Sequence, residues 1–264
     1  MVQLKHFKLF DSHFHIIDQC FPLVANQGYL PDPFSVTDYL TRTQNYDLAG
    51  GAIVSGSFQA FDQTYLLAAL KTLGPSFVGV AQLPATVADA ELIRLNAAGV
   101  RAVRFNLKRG GSEVTVNLER FARRVYEIVG WHIELYVDAK DLPELHATLI
   151  KLPRVSIDHL GLSASGFAHL LALVEQGVYV KATGFGRVDF AIQPALKQIV
   201  AINPDALLFG TDLPSTRAVK PYCDDDLFQV VDAIGEQNAR KVFYENAIRF
   251  YKPKSERGTG LIAK

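Results

Sequence analysis

The amino-acid sequence predicts an α/β fold, a single-domain (β/α)8 TIM barrel, on three observations. Eight short apolar runs rich in Val, Ile, Leu and Phe recur along its 264 residues, with helical patterns between them. The cores of these runs carry few charges, as strands of a parallel sheet buried on both faces do. No Gly-x-Gly-x-x-Gly turn follows the first run, which argues against the rival plan of a doubly wound open sheet. Eight strand–helix units in about 250 residues match the length of such a barrel.

The first run, "FKLFDSH" (7–13), leads to "FSVTDYLTRTQNYD" (34–47), a helix candidate with Ser35 or Thr37 near its start. "GGAIVSG" (50–56) is followed by "DQTYLLAALKTLG" (62–74), and "FVGVAQL" (77–83) by "TVADAELIRLNAAG" (86–99). Both helix candidates end at glycine, a common C-terminal signal. "VRAVRFNL" (100–107) precedes "NLERFARRVYEIVG" (117–130), whose Leu118, Phe121, Val125 and Ile128 recur at helical spacing. "HIELYVD" (132–138), "RVSIDHLG" (154–161) and "GVYVKATGF" (177–185) alternate with helix candidates at 141–152, 164–177 and 192–203. "ALLFGTDLP" (206–214) completes the eight, and helices over 224–235 and 236–251 close the domain. The barrel is expected over residues 1–251. The tail "KPKSERGTGLIAK" (252–264) is mostly polar and reads as a C-terminal extension.

Composition narrows the class of function. Hydrophobic residues make up 49% of the chain, ample for a large core. Lys plus Arg and Asp plus Glu each total 27, so no basic surface points to a nucleic-acid partner. Cys20 and Cys223 form no metal or disulfide framework and read as free thiols. No secretory leader or membrane-spanning run is seen, so a soluble, cytoplasmic protein without a membrane partner is expected.

Barrel enzymes assemble their sites at the C-terminal ends of the strands. The polar residues within the apolar runs gather there: His13 and His15, Arg104 and Asn106, Tyr136 and Asp138, Asp158 and His159, Lys181, and Asp212. In a regular strand Asp11, His13 and His15 share one face, with Asp11 one step deeper, placed to orient a histidine. A closed barrel brings His159 and Asp212 to the same mouth. His13, His15, His159 and Asp212 suit one divalent ion, Zn or Mn, at about 2.0–2.1 Å per nitrogen, or a carbonyl oxygen polarised by hydrogen bonds. Singly, each has a plainer reading: alternate polar strand positions, a core histidine, an Asp in a turn before Pro. His6, His132, His146 and His169 lack this placement.

"DSHFHI", "IDHLG" and "LLFGTDLP", with "GVRAVRFNL", "VKATGFGR" and the late "NARKVFYENAIRFY", resemble the amidohydrolase superfamily over Asp11 to Tyr251. The likeness is nearest to its amidohydrolase-2 branch, which includes 2-pyrone-4,6-dicarboxylate lactonases. The resemblance implies a hydrolase, in particular a lactonase opening a carboxylated lactone ring. Many amidohydrolases carry a histidine at the end of strand five, where this chain has Tyr136. Tyrosine there is similar to the pyrone-dicarboxylate lactonases, understood to need no divalent metal, and argues against a two-metal site. Under this reading Asp212 is the base that activates water, and His13, His15 and His159 polarise the carbonyl. Arg104, Arg109, Arg187 and Tyr136, with Lys108 behind them, are expected to bind an anionic small molecule, since arginine forks suit carboxylates. Alternative duties are an internal salt bridge for Arg104, a solvated loop charge for Arg109 and core packing for Tyr136. Ser57, Gln59 and Asp62 are expected near the mouth. Two other functions stay open: a metal-dependent decarboxylase of the same branch, and a small-molecule-binding barrel without catalysis. The sequence gives no oligomeric state.

Overall fold

The computed structural model describes residues 4–254. Eight parallel strands stand in sequential order: β1 (Lys8–Phe14), β2 (Asp47–Val54), β3 (Phe77–Ala81), β4 (Val100–Asn106), β5 (His132–Tyr136), β6 (Val155–Ile157), β7 (Tyr179–Ala182) and β8 (Leu207–Phe209). Between them run α1 (Val36–Thr43), α2 (Thr64–Leu73), α3 (Asp89–Ala98), α4 (Leu118–Val129), α5 (Leu142–Leu149), α6 (Phe167–Glu175) and α7 (Ile192–Ile202). Two helices follow β8, α8 (Asp225–Arg240) and α9 (Asn246–Tyr251). The fold is the (β/α)8 barrel that the sequence predicts. Among the described residues no helix is long and apolar enough to cross a membrane.

The barrel is joined where its first and last strands end. The Asp212 N–H donates to the His13 carbonyl and the His15 N–H to the Leu213 carbonyl, both at 2.7 Å. The backbone seam therefore runs through the residues singled out for chemistry.

Local signals account for the helices. Ser35 opens α1 with a reciprocal cap: its hydroxyl accepts the Asp38 N–H, and the Asp38 carboxylate accepts the Ser35 N–H. α4 buries Leu118, Phe121, Ala122 and Val125 on one face. Each large apolar side chain so buried contributes roughly 1.5–3 kcal/mol. α8 breaks at Gly235, whose φ of 74° only glycine takes freely. A π-helical turn, Lys241–Glu245, then leads into α9. Phe250 and Tyr251 of α9 pack with Phe10, Val78, Ala102 and Leu208 and plug the N-terminal end of the barrel.

Two expectations need correction. β6 and β8 have three residues each, far fewer than their apolar runs. Beyond them the chain enters left-handed backbone, with φ of 52° at His159, 50° at Leu160 and 61° at Asp212. His159 and Asp212 thus stand on turns that lean over the mouth. Non-glycine residues held in this region cluster at functional sites. Second, β1 is irregular. Asp11 lies opposite Gly51 and Phe14 opposite Ile53, three steps on one strand against two on the other. This bulge reverses the alternation. Asp11 faces the helical layer and accepts the Tyr39 hydroxyl at 3.1 Å, while Phe14 stacks on the same ring. His13 and His15 face inward. The Asp11 carboxylate also accepts the Thr211 N–H at 2.8 Å and the Thr211 hydroxyl at 2.7 Å. It ties β1 to the chain after β8 and orients no imidazole. Of the expected C-terminal extension, residues 255–264 lie outside the described residues.

Candidate active site

Side chains pointing into the barrel form three levels. At the bottom is the apolar plug. Above it lies a level of buried charge, in which Lys181 pairs with Glu134 and sits 3.5 Å from Oδ1 of Asp158. Arg104 donates to Oδ2 of Asp158 at 2.9 and 3.3 Å and to the Ser55 carbonyl at 2.8 Å. The Tyr251 hydroxyl reaches up from α9 to Glu134 at 2.7 Å. Two cations balance two carboxylates, as burial demands. Burial alone would raise the Asp158 carboxyl, but Lys181, His13 and Arg104 hold it well below the usual carboxylate range.

The third level carries the histidines. Nδ1 rests on a backbone carbonyl in two rings, that of Val54 at 2.7 Å for His15 and that of Thr183 at 3.3 Å for His159, while Nδ1 of His13 lies 3.4 Å from both the Lys181 ammonium and Asp158 Oδ1. Such backing fixes a ring's direction and leaves Nε2 for chemistry. Nε2 of His13 and Nε2 of His15 each lie 3.8 Å from Oδ1 of Asp212. Oδ2 of Asp212 accepts Nε of Arg187 at 2.7 Å. Oδ1 of Asp212 and Nε2 of His13 are buried without a hydrogen-bond partner. Burial would raise the Asp212 carboxyl, yet the Arg187 guanidinium at Oδ2 outweighs it and holds it far below the usual range. Burial pushes the His159 imidazole down to about 4 and the His13 imidazole well below its ordinary value. Asp212 is therefore ionised beside neutral His13 and His159. The crowding is tight: a Cβ on Gly184, where φ is 60°, would meet His159 Nδ1 at 2.6 Å and Asp212 Oδ2 at 3.0 Å.

This level floors a pocket open to the mouth of the barrel. Arg104 reaches its wall, 3% exposed, but its guanidinium is committed to Asp158. Arg187 is committed to Asp212 and to the Thr216 carbonyl at 2.7 Å. Arg109 lines the pocket with no carboxylate partner among the described residues. Tyr136 also lines it, edge-on to His159 with ring centres 5.0 Å apart. Lys108 is drawn off to Asp138 at 2.8 Å. Ser57 reaches the pocket, whereas Gln59 donates to the Ile16 carbonyl and Asp62 caps the start of α2. Two groups escaped the sequence reading. Glu134 lies mid-strand, in register between inward His132 and Tyr136, so alternation alone pointed to it. Arg217 and the Tyr29 beneath it come from loops, where no periodicity exists to find them.

His13, His159 and Asp212 each bring a ligand atom within 4.8 Å of the others. With their unpartnered Nε2 and Oδ1, this trio fits one divalent ion. A second trio, His13, Glu134 and Asp158, already holds the Lys181 ammonium against both carboxylates.

The chain is similar to known proteins over most of its length. The chain is 28% identical to a 2-pyrone-4,6-dicarboxylate hydrolase of Comamonas testosteroni over 92% of this chain and 90% of that protein. A Pseudomonas putida structure, provisionally named a 2-pyrone-4,6-dicarboxylic acid hydrolase, matches with a TM-score of 0.75 at 27% identity, covering 94% of this chain and 98% of that one. An Acinetobacter baumannii structure with a similar provisional name shares the fold, with a TM-score of 0.80 at 21% identity over 93% and 100% of the two chains. The amidohydrolase family model matches residues 10–252, from Phe10 in β1 to Lys252 just past α9, and the chain belongs to the amidohydrolase family.

Proposed function

We propose that the protein hydrolyses a small carboxylated lactone of the 2-pyrone-4,6-dicarboxylate type, with Asp212 as the base. The observation that carries this reading is the split duty of Asp212. One oxygen is neutralised by Arg187, and the other is unpartnered beside His13 Nε2 and His15 Nε2 under a pocket rimmed by arginine. The names of the Comamonas and Pseudomonas relatives support the substrate class.

In this mechanism a water at Oδ1 attacks the lactone carbonyl carbon. A carboxylate as acidic as Asp212 is a weak base at rest. The water's proton becomes acidic as its oxygen bonds to carbon, and Oδ1 accepts it at that stage. His15 and His159 turn Nε2 toward the carbonyl oxygen, and in the tautomer that carries the proton on Nε2 rather than Nδ1 either ring can hydrogen-bond that oxygen as it gains charge. The ring C–O bond then breaks, and the departing enolate takes a proton to give the open-chain acid. An enolate leaves more readily than an alkoxide, so little acid assistance is needed. A divalent ion such as Zn2+ or Mn2+, held by His13, His159 and Asp212, would supply Lewis acidity at the same carbonyl oxygen. The substrate is an anionic small molecule, held by arginine.

The test is incubation of purified protein with 2-pyrone-4,6-dicarboxylate, following loss of the pyrone absorbance. Saturable turnover is the expected result, and its absence across a panel of carboxylated lactones would overturn the reading. Elemental analysis with turnover before and after chelation assigns the electrophile to imidazole or to an ion.

A further inference from the structure

The cations at the pocket are not equivalent. Arg104 and Arg187 each spend their guanidinium on a buried carboxylate, Asp158 and Asp212. Arg109 and Arg217 do not: neither has a carboxylate partner among the described residues, although both line the pocket. The two positive charges are close enough that, after burial, the charge of Arg109 is the next cause holding Arg217 below its usual value. Like charges are brought together at a cost, and an anion between them removes it.

The surrounding structure holds this pair deliberately. Asn26 and Tyr29 exchange backbone hydrogen bonds at 3.0 Å across a turn with positive φ at Gln27 (51°) and Gly28 (73°), the geometry of a type I′ hairpin turn. That turn aims Tyr29 under Arg217, whose guanidinium lies 4.3 Å from the ring centre. The Asn26 side chain donates to the Arg109 carbonyl at 3.2 Å, while the Asn26 carbonyl accepts from Arg217. One turn therefore fixes both arginines. Arg217 itself sits in left-handed backbone at φ 59°. Both arginines are half-buried and also line an adjoining bay with Lys108 and Ser163, so the pair stands nearer the rim than the buried Arg104.

We infer that Arg109 and Arg217, with Tyr29 as the floor, form the clamp for the substrate carboxylate at the outer rim, and that Arg217 sets the preference for a diacid over a monoacid. This inference rests on the lactone reading above for its substrate; of the expected set Arg104, Arg109, Arg187 and Tyr136 it keeps Arg109 in the clamp and adds Arg217, the other arginine without a carboxylate partner among the described residues. A guanidinium can bind a carboxylate through two parallel hydrogen bonds, so the fork as well as the charge counts.

The test uses planar acids that cannot be hydrolysed: pyridine-2,4-dicarboxylate and its two monoacids, picolinate and isonicotinate. Their affinities are measured by calorimetry for the native protein, Arg217→Gln and Arg217→Lys. The native protein is expected to bind the diacid at least about tenfold more tightly than either monoacid, the difference one charge-assisted contact gives. Arg217→Gln is expected to bring that ratio to within about threefold of one, and Arg217→Lys to keep an intermediate ratio. An unchanged ratio in Arg217→Gln, or an equal loss for all three acids, would overturn the proposal, the second outcome marking Arg217 as a loop anchor only. If Arg217→Gln fails to fold, the ratio in Arg217→Lys decides, and a native ratio there overturns the clamp. Because binding is read without turnover, failure of the clamp and failure of lactone hydrolysis are told apart. A native protein that opens the pyrone while Arg217→Gln keeps its diacid preference loses only the clamp.

Discussion

At Asp212 the two carboxylate oxygens have separate tasks: Oδ2 holds Arg187, and Oδ1 faces the imidazoles. The neutral histidines beside it carry a cost that appears as pH dependence. The folded His159 takes its proton at about 4, against 6.5 for a free imidazole. The unfolded chain therefore binds a proton first as pH falls, and stability is lost between pH 6.5 and about 4, by roughly 3 kcal/mol from this residue. Urea midpoints across that range should fall for the native protein and fall less for His159→Asn. The four central residues were legible in the sequence because each sits at or just past the end of an apolar run, where a barrel puts its chemistry. The commitments of the arginines were not legible. Arg104, Arg187 and Arg217 look alike in sequence, and only the fold shows that the first two are bound to carboxylates.

Among the elements, β1 carries the most information per residue. Its bulge turns Asp11 outward and His13 and His15 inward, which strict alternation from "FDSHFHIID" does not give. Bulges of this kind re-aim side chains beside active sites. Asp11 then joins the first strand to the chain after the last, through Thr211, and both to α1, through Tyr39. Asp11→Ala strands two hydroxyl donors and two backbone N–H groups, those of His13 and Thr211, in a dry interior, at about 1–3 kcal/mol for each unpaired group. A loss of at least about 3 kcal/mol in denaturant unfolding is expected, with kcat reduced because His13 and Asp212 sit on that seam. A change under 1 kcal/mol would show that the seam holds without Asp11. Strand ends show the other limit of sequence reading. The apolar runs for β6 and β8 continue past the last paired residue, since burial continues where hydrogen bonding stops.

Over the whole molecule, charge is arranged by depth. Lys181, Arg104 and Arg187 answer Glu134, Asp158 and Asp212 inside the barrel, and the free positive charge of Arg109 and Arg217 stands at the rim. The chain as a whole is neutral, so attraction for an anion is local to the mouth. Lys181→Met alone leaves Glu134 buried and unpaired and is expected to cost about 3–5 kcal/mol. Adding Glu134→Leu should recover at least about 1 kcal/mol of that loss in urea unfolding, because the orphaned charge is gone. A strictly additive double variant would mean that the two groups are not coupled.

The central claim is that Asp212 activates the water, and the kcat of Asp212→Asn with 2-pyrone-4,6-dicarboxylate tests it most directly. Asparagine keeps the shape and an oxygen for Arg187 but cannot take a proton. The expected result is a kcat lowered by about 10²–10⁴-fold, with KM within a few-fold of the native value and a native circular dichroism spectrum. A folded Asp212→Asn that turns over within tenfold of the native rate would contradict the account.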